Sequence, residues 1–133
     1  MKITLITLVA LALAGSALAA PKSATLTIRH EIRGCHSWSQ NGTSWRPSQA
    51  ISLSRGGVLK VINHDVMPHT LIQVSGPKAA AAGAMMNHMA ASSRVTFRTK
   101  GTYVFKTKAG EDYTTGIKTI GADKVLRLVV TVA

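Results

Sequence analysis

Polar and apolar residues alternate from Thr25 to Arg33, with Leu26, Ile28, His30 and Ile32 on one side and Thr25, Thr27, Arg29, Glu31 and Arg33 on the other. A period of two is that of a half-buried strand, and Gly34 ends it. Residues 39–49 carry Asn41-Gly42 and Pro47 and read as a loop. Two further β-like runs, 50–54 and 58–63, flank Gly56-Gly57 in the pattern of a tight hairpin. Residues 69–75 form the next run, closed by Gly76-Pro77. The alanine-rich stretch 78–91 breaks the alternation and predicts a short helix or helical loop. Runs at 94–99 and 102–107 around Lys100-Gly101 predict a second hairpin, and 124–132 a closing strand. Six or seven short strands predict an all-β sandwich, with Leu59/Val61, Tyr103/Phe105 and Leu126/Leu128/Val130/Val132 facing one another across its core.

The first nineteen residues follow a different pattern. Lys2 precedes thirteen uncharged residues, 3–15, and then Ala17-Leu18-Ala19, a small-x-small cleavage pattern. This is the form of a secretory signal peptide, and the apolar run falls short of the roughly 20 residues of a membrane span. The expectation is an exported protein, periplasmic or secreted, with residues 1–19 as leader and 20–133 as one domain without a membrane anchor.

Charge changes the picture of the surface. The chain has 16 Lys+Arg against 5 Asp+Glu, which favours acidic partners. The basic residues are scattered, and both tryptophans lie between Trp38 and Trp45 instead of being interleaved with them, so a nucleic-acid reading surface is not expected. Catalytic patterns are missing too: there is no nucleophile elbow, phosphate loop or His-Glu-x-x-His, and the carboxylate pair Glu111-Asp112 reads as a solvated turn. The chain is not expected to be an enzyme.

Cys35 is the single cysteine and has no partner for a disulfide within the chain. It is a buried thiol, an intermolecular partner or a metal ligand. The stretch Met85-Met-Asn-His-Met89 concentrates three thioethers and an imidazole in five residues. Methionines so spaced commonly pack into a core, and soft donors also suit copper.

Two motifs resemble a known family. Val61-Ile-Asn-His-Asp-Val-Met-Pro-His-Thr70 is similar to the strand, asparagine, loop and Pro-His of the cupredoxins, and Lys100-Gly-Thr-Tyr-Val-Phe105 to the strand leading into that family's ligand loop. The resemblance implies a cupredoxin-like Greek-key β-sandwich with a short helical or loop insertion, and gives His69 the role of first copper ligand. The family's cysteine position falls on Thr107, and the residues that follow it contain no Cys, His or Met. The ligand set is therefore rearranged or lost. If the loop after the first strand shares an end of the sandwich with His69, as the resemblance implies, Cys35 supplies the thiolate.

A site for one Cu(I)/Cu(II) ion is then assembled from Cys35, His69, a second imidazole from His36, His30 or His88, and a thioether from Met85, Met86 or Met89, with His36, His88 and Met89 preferred. His30 also reads as a core histidine, and His64 as a solvated one. Trp38 and Trp45 either cap such a site or simply pack. The implied function is electron transfer by a monomer with an acidic redox or copper-donor partner. Copper carriage or storage, and a metal-free binding module, are the alternatives.

Overall fold

The computed structural model describes residues 15, 18–31, 36–109 and 125–133. Most of the expected leader, the segment 32–35 with Cys35, and 110–124 with Glu111-Asp112 lie outside the described residues.

Among the described residues ten strands build the fold: β1 (Ser23–His30), β2 (His36–Ser39), β3 (Ser48–Leu53), β4 (Gly57–His64), β5 (His69–Ser75), β6 (Ala80–Ala82), β7 (Met85–Met86), β8 (Ser92–Phe97), β9 (Gly101–Ala109) and β10 (Val125–Val132). They form two five-stranded sheets, ordered β2-β1-β4-β8-β6 and β3-β10-β9-β5-β7. Each sheet holds one parallel pair, β1 with β4 and β3 with β10. Neighbours distant in sequence and connections that cross between sheets make this an all-β sandwich of Greek-key kind.

The alternation in sequence is the alternation of burial. Leu26 and Ile28 of β1, Leu59 and Val61 of β4, Tyr103 and Phe105 of β9, and Leu126, Leu128, Val130 and Val132 of β10 are all buried in one core with Phe97 and Trp38. Phe97 lies edge-on to Tyr103, with ring centroids 4.8 Å apart. The Tyr103 hydroxyl donates to the Thr99 carbonyl, so this large buried ring leaves no polar atom unpaired.

Three expectations about local structure fail, for one reason. The runs around Gly56-Gly57 do not pair as a hairpin: β3 lies beside β10, while β4 lies between β1 and β8. The turn is real, with Gly57 N–H donating to the Ser54 carbonyl and Gly56 at φ +81°. A Cβ on Gly57 would stand 2.7 Å from the Ser54 oxygen, too close for any other residue. The same turn carries the chain across the edge of the sandwich, because each strand buries its apolar face best in a different sheet. Likewise β8 and β9 belong to opposite sheets. The stretch 78–91 contains no helix: β6 pairs with β8 and β7 with β5, so sheet edges capture backbone whose propensity alone favours helix.

This topology brings four chain positions to one end. The parallel strands β1 and β4 both run toward it and finish at His30 and His64, while β2 starts there at His36 and β5 at His69. His30 and His36 are direct partners across the β1–β2 pair.

Candidate metal centre

At this end Asn63 organises two loops. Its side-chain amide donates to the carbonyls of Met67 (2.9 Å) and Met86 (3.1 Å), and its oxygen accepts the Asp65 N–H at 2.9 Å. Its own backbone bonds Ala90 and Ala91. The loop after β4 is thereby folded inward, and Asp65, a residue type rarely found inside unless paired, is fully buried.

Three histidines converge on that carboxylate. His36 Nδ1 lies 2.5 Å and His69 Nε2 2.9 Å from Asp65 Oδ2. His30 Nδ1 lies 3.3 Å from Oδ1, which also accepts the Met67 N–H at 3.1 Å. The rings pack edge to face, His36 against His69 at 4.7 Å between centroids and His30 against His36 at 5.6 Å. His36 and His69 are fully enclosed, whereas His30 is the member open to solvent.

Burial pushes the Asp65 carboxyl upward, but the hydrogen bonds from His36, His69 and the Met67 amide outweigh it and hold the group well below the ordinary carboxylate range. Asp65 is therefore ionised and can only accept, which assigns a proton to His36 Nδ1 and to His69 Nε2. The other nitrogen of His69 faces Thr107, with Nδ1 3.3 Å from Oγ1. Thr107, the position that the cupredoxin resemblance gives to the absent cysteine, thus lies buried against His69.

A second contact set fixes the β1–β2 end. Glu31 accepts from Ser37 Oγ at 2.5 Å and from Arg29 Nε at 2.7 Å, and the Ser37 bond followed by Arg29 lowers its carboxyl below the ordinary range. The Arg29 guanidinium also lies over the Trp45 ring at 4.1 Å. Trp45 is thus engaged with Arg29, and Trp38 belongs to the hydrophobic core.

One nitrogen from each of His30 and His36 and one oxygen of Asp65 lie within 4.8 Å of one another, a spacing that suits a common metal ion. Of the residues expected from sequence, His36 and His69 are brought together, and Met86 is buried as the cross-strand partner of His69. His88 and Met89 are exposed on the turn after β7, and Met85 is exposed as well. Cys35 lies outside the described residues. His64 is exposed. Asp65 was not anticipated; the only signal for it in sequence is an acidic residue four positions before His69, which does not announce burial.

The fold and this end together define an all-β sandwich with a buried histidine–carboxylate cluster. No family model matches the chain, and no curated protein matches it. Among solved structures it is similar to a reduced Cu(I) form of an amicyanin mutant (17% identity, 86% of each chain covered, TM-score 0.44). It is also similar to a purple cupredoxin from Nitrosopumilus maritimus (15% identity, covering 83% of this chain and 99% of that one, TM-score 0.42). A cysteine protease inhibitor from Entamoeba histolytica stands at the same level (10% identity, covering 85% and 99%, TM-score 0.43).

Proposed function

We propose that this chain is an exported copper-binding protein of cupredoxin type that serves electron transfer. The observation that carries the reading is the convergence of His30, His36 and His69 on the buried Asp65 carboxylate. His30, His36 and Asp65 are the residues that would hold the ion, with His69 as a further imidazole. Imidazole and carboxylate donors suit several divalent metals, and the affinity order among them places Cu(II) above zinc and nickel. When bound, copper supplies a one-electron couple.

The chain's own residues do the rest. Asp65 orients two rings through one oxygen, and Thr107 engages the far nitrogen of His69. The tight burial of His36 and His69 excludes water and limits rearrangement between oxidation states. The nitrogens of His36 and His69 that face Asp65 carry protons, so a metal bound at either would require that ring to move its proton to the far nitrogen. Cys35, joined by a peptide bond to His36, is the candidate thiolate. The excess of basic residues fits an acidic redox partner. The exposed Met85, His88 and Met89 favour copper handling as a second reading.

The test is addition of Cu(II) to the metal-free chain, followed by electron paramagnetic resonance and visible spectroscopy. One equivalent of bound Cu(II) with nitrogen hyperfine structure, lost in His36→Ala and Asp65→Ala, is expected. Intense visible colour that disappears in Cys35→Ser assigns the thiolate. A chain that folds yet binds neither Cu(II) nor Cu(I) is a metal-free sandwich, and the proposal falls.

A further inference from the structure

We propose that Met85, His88 and Met89 form a second metal site, on the surface, for a soft monovalent ion such as Cu(I). The proposal does not depend on the buried cluster.

Exposure is the first observation. Met85 is 65% and Met89 53% exposed, whereas Met86 between them is fully buried. Thioethers so placed are withheld from the core that methionine ordinarily fills. The second observation is the state of His88. Its Nδ1 lies 2.9 Å from the Met89 carbonyl oxygen, which can only accept, so in the neutral ring the proton sits on Nδ1 and the lone pair on Nε2. A backbone carbonyl holding the far N–H is the arrangement that fixes the tautomer and orients a metal-binding histidine. Nε2 has no bonded partner among the described residues.

The third observation is the backbone that carries them. Ala90 adopts φ +70°, a conformation that an L residue with a side chain rarely takes. It is held there by three bonds: Ala90 N–H to the Asn63 carbonyl at 2.6 Å, Asn63 N–H to the Ala91 carbonyl at 2.9 Å, and Ala91 N–H to the His88 carbonyl at 3.1 Å. On the other flank, β7 pairs with β5 through His69 and Thr70. A fixed turn therefore presents two thioethers and one imidazole to solvent within five residues. Two sulfurs and a borderline nitrogen select a soft ion over the divalent metals that imidazole and carboxylate prefer.

The probe is Ag(I), an air-stable stand-in for Cu(I), titrated into the full chain carrying methyl-labelled methionine and followed by nuclear magnetic resonance. The methyl signals of Met85 and Met89 and the His88 ring signals are expected to shift together and saturate. Met85→Leu/Met89→Leu is expected to lose one equivalent of bound ion without losing thermal stability. Asp65→Asn, which alters the buried cluster, is expected to keep that equivalent, so failure of one site is distinguishable from failure of the other. Unmoved Met85 and Met89 signals, or a double variant that binds as many ions as the parent, would overturn the proposal.

Discussion

Two turns at the same end of the sandwich carry the same kinds of donor and treat them in opposite ways. Residues 63–69 bury Asp65 and His69 and give the side chains of both hydrogen-bond partners. Residues 85–91 bury only Met86 and leave Met85, His88 and Met89 in solvent. Asn63 joins them, since its side chain holds the first turn at Met67 and the second at Met86. The difference teaches that donor type does not select a site; the strand end on which a donor falls, and the partner it meets there, do so.

The contrast breaks most completely if Asp65 is removed. Asp65→Ala strands donors on two buried imidazoles and is expected to lower unfolding free energy by about 3 to 5 kcal/mol, measured by urea denaturation. A second test sets the adjacent methionines against each other. Met86→Ala empties a filled core position and should lose about 2 to 4 kcal/mol, while Met85→Ala should stay within about 0.5 kcal/mol of the parent. If both lose equally, the assignment of one side chain to the core and the other to solvent is wrong.

Acid sharpens the comparison further. The folded state holds the Asp65 carboxyl below its ordinary value of 3.8, so its contribution to stability is fully present above that value. It is lost as pH falls from there toward the folded-state value. Unfolding midpoints measured from pH 5 down to pH 2 should fall less steeply in Asp65→Asn than in the parent. The smallest effect is expected from Thr107→Val, which keeps the shape but removes the partner of His69 Nδ1, at about 1 kcal/mol. The same variant should shift the His69 ring resonances and leave those of His88 in place.

Much of the fold was legible because burial follows the period of the strands. The run 69–75 coincides with β5, and the alternating apolar residues of β4, β9 and β10 are the core. Pairing was not legible. Gly56-Gly57 and Lys100-Gly101 mark turns correctly, yet a turn does not tell whether the next strand stays in its sheet or crosses to the other. Strand β2 escaped notice because four residues, two of them serines, carry no period; they are buried by what covers them.

The candidate site divides along the same line. The cupredoxin resemblance points to His69 and implies that the stretch holding His36 lies near it, and the structure packs the His36 and His69 rings together. Asp65 is not legible in sequence, because an acidic residue in a loop is ordinarily solvated, and its burial is made tolerable by three converging imidazoles and the Met67 amide.

The amino-acid sequence by itself determined the strand content, the inward faces and the supply of nitrogen, oxygen and sulfur donors, because these depend on residue type and short spacing. Tertiary structure alone decided which donors meet. His30 and His36 face each other across the β1–β2 pair and Asp65 and His69 share one turn, and the two pairs meet because β1 lies parallel to β4. That pairing is set by burial of the whole core and not by any local preference.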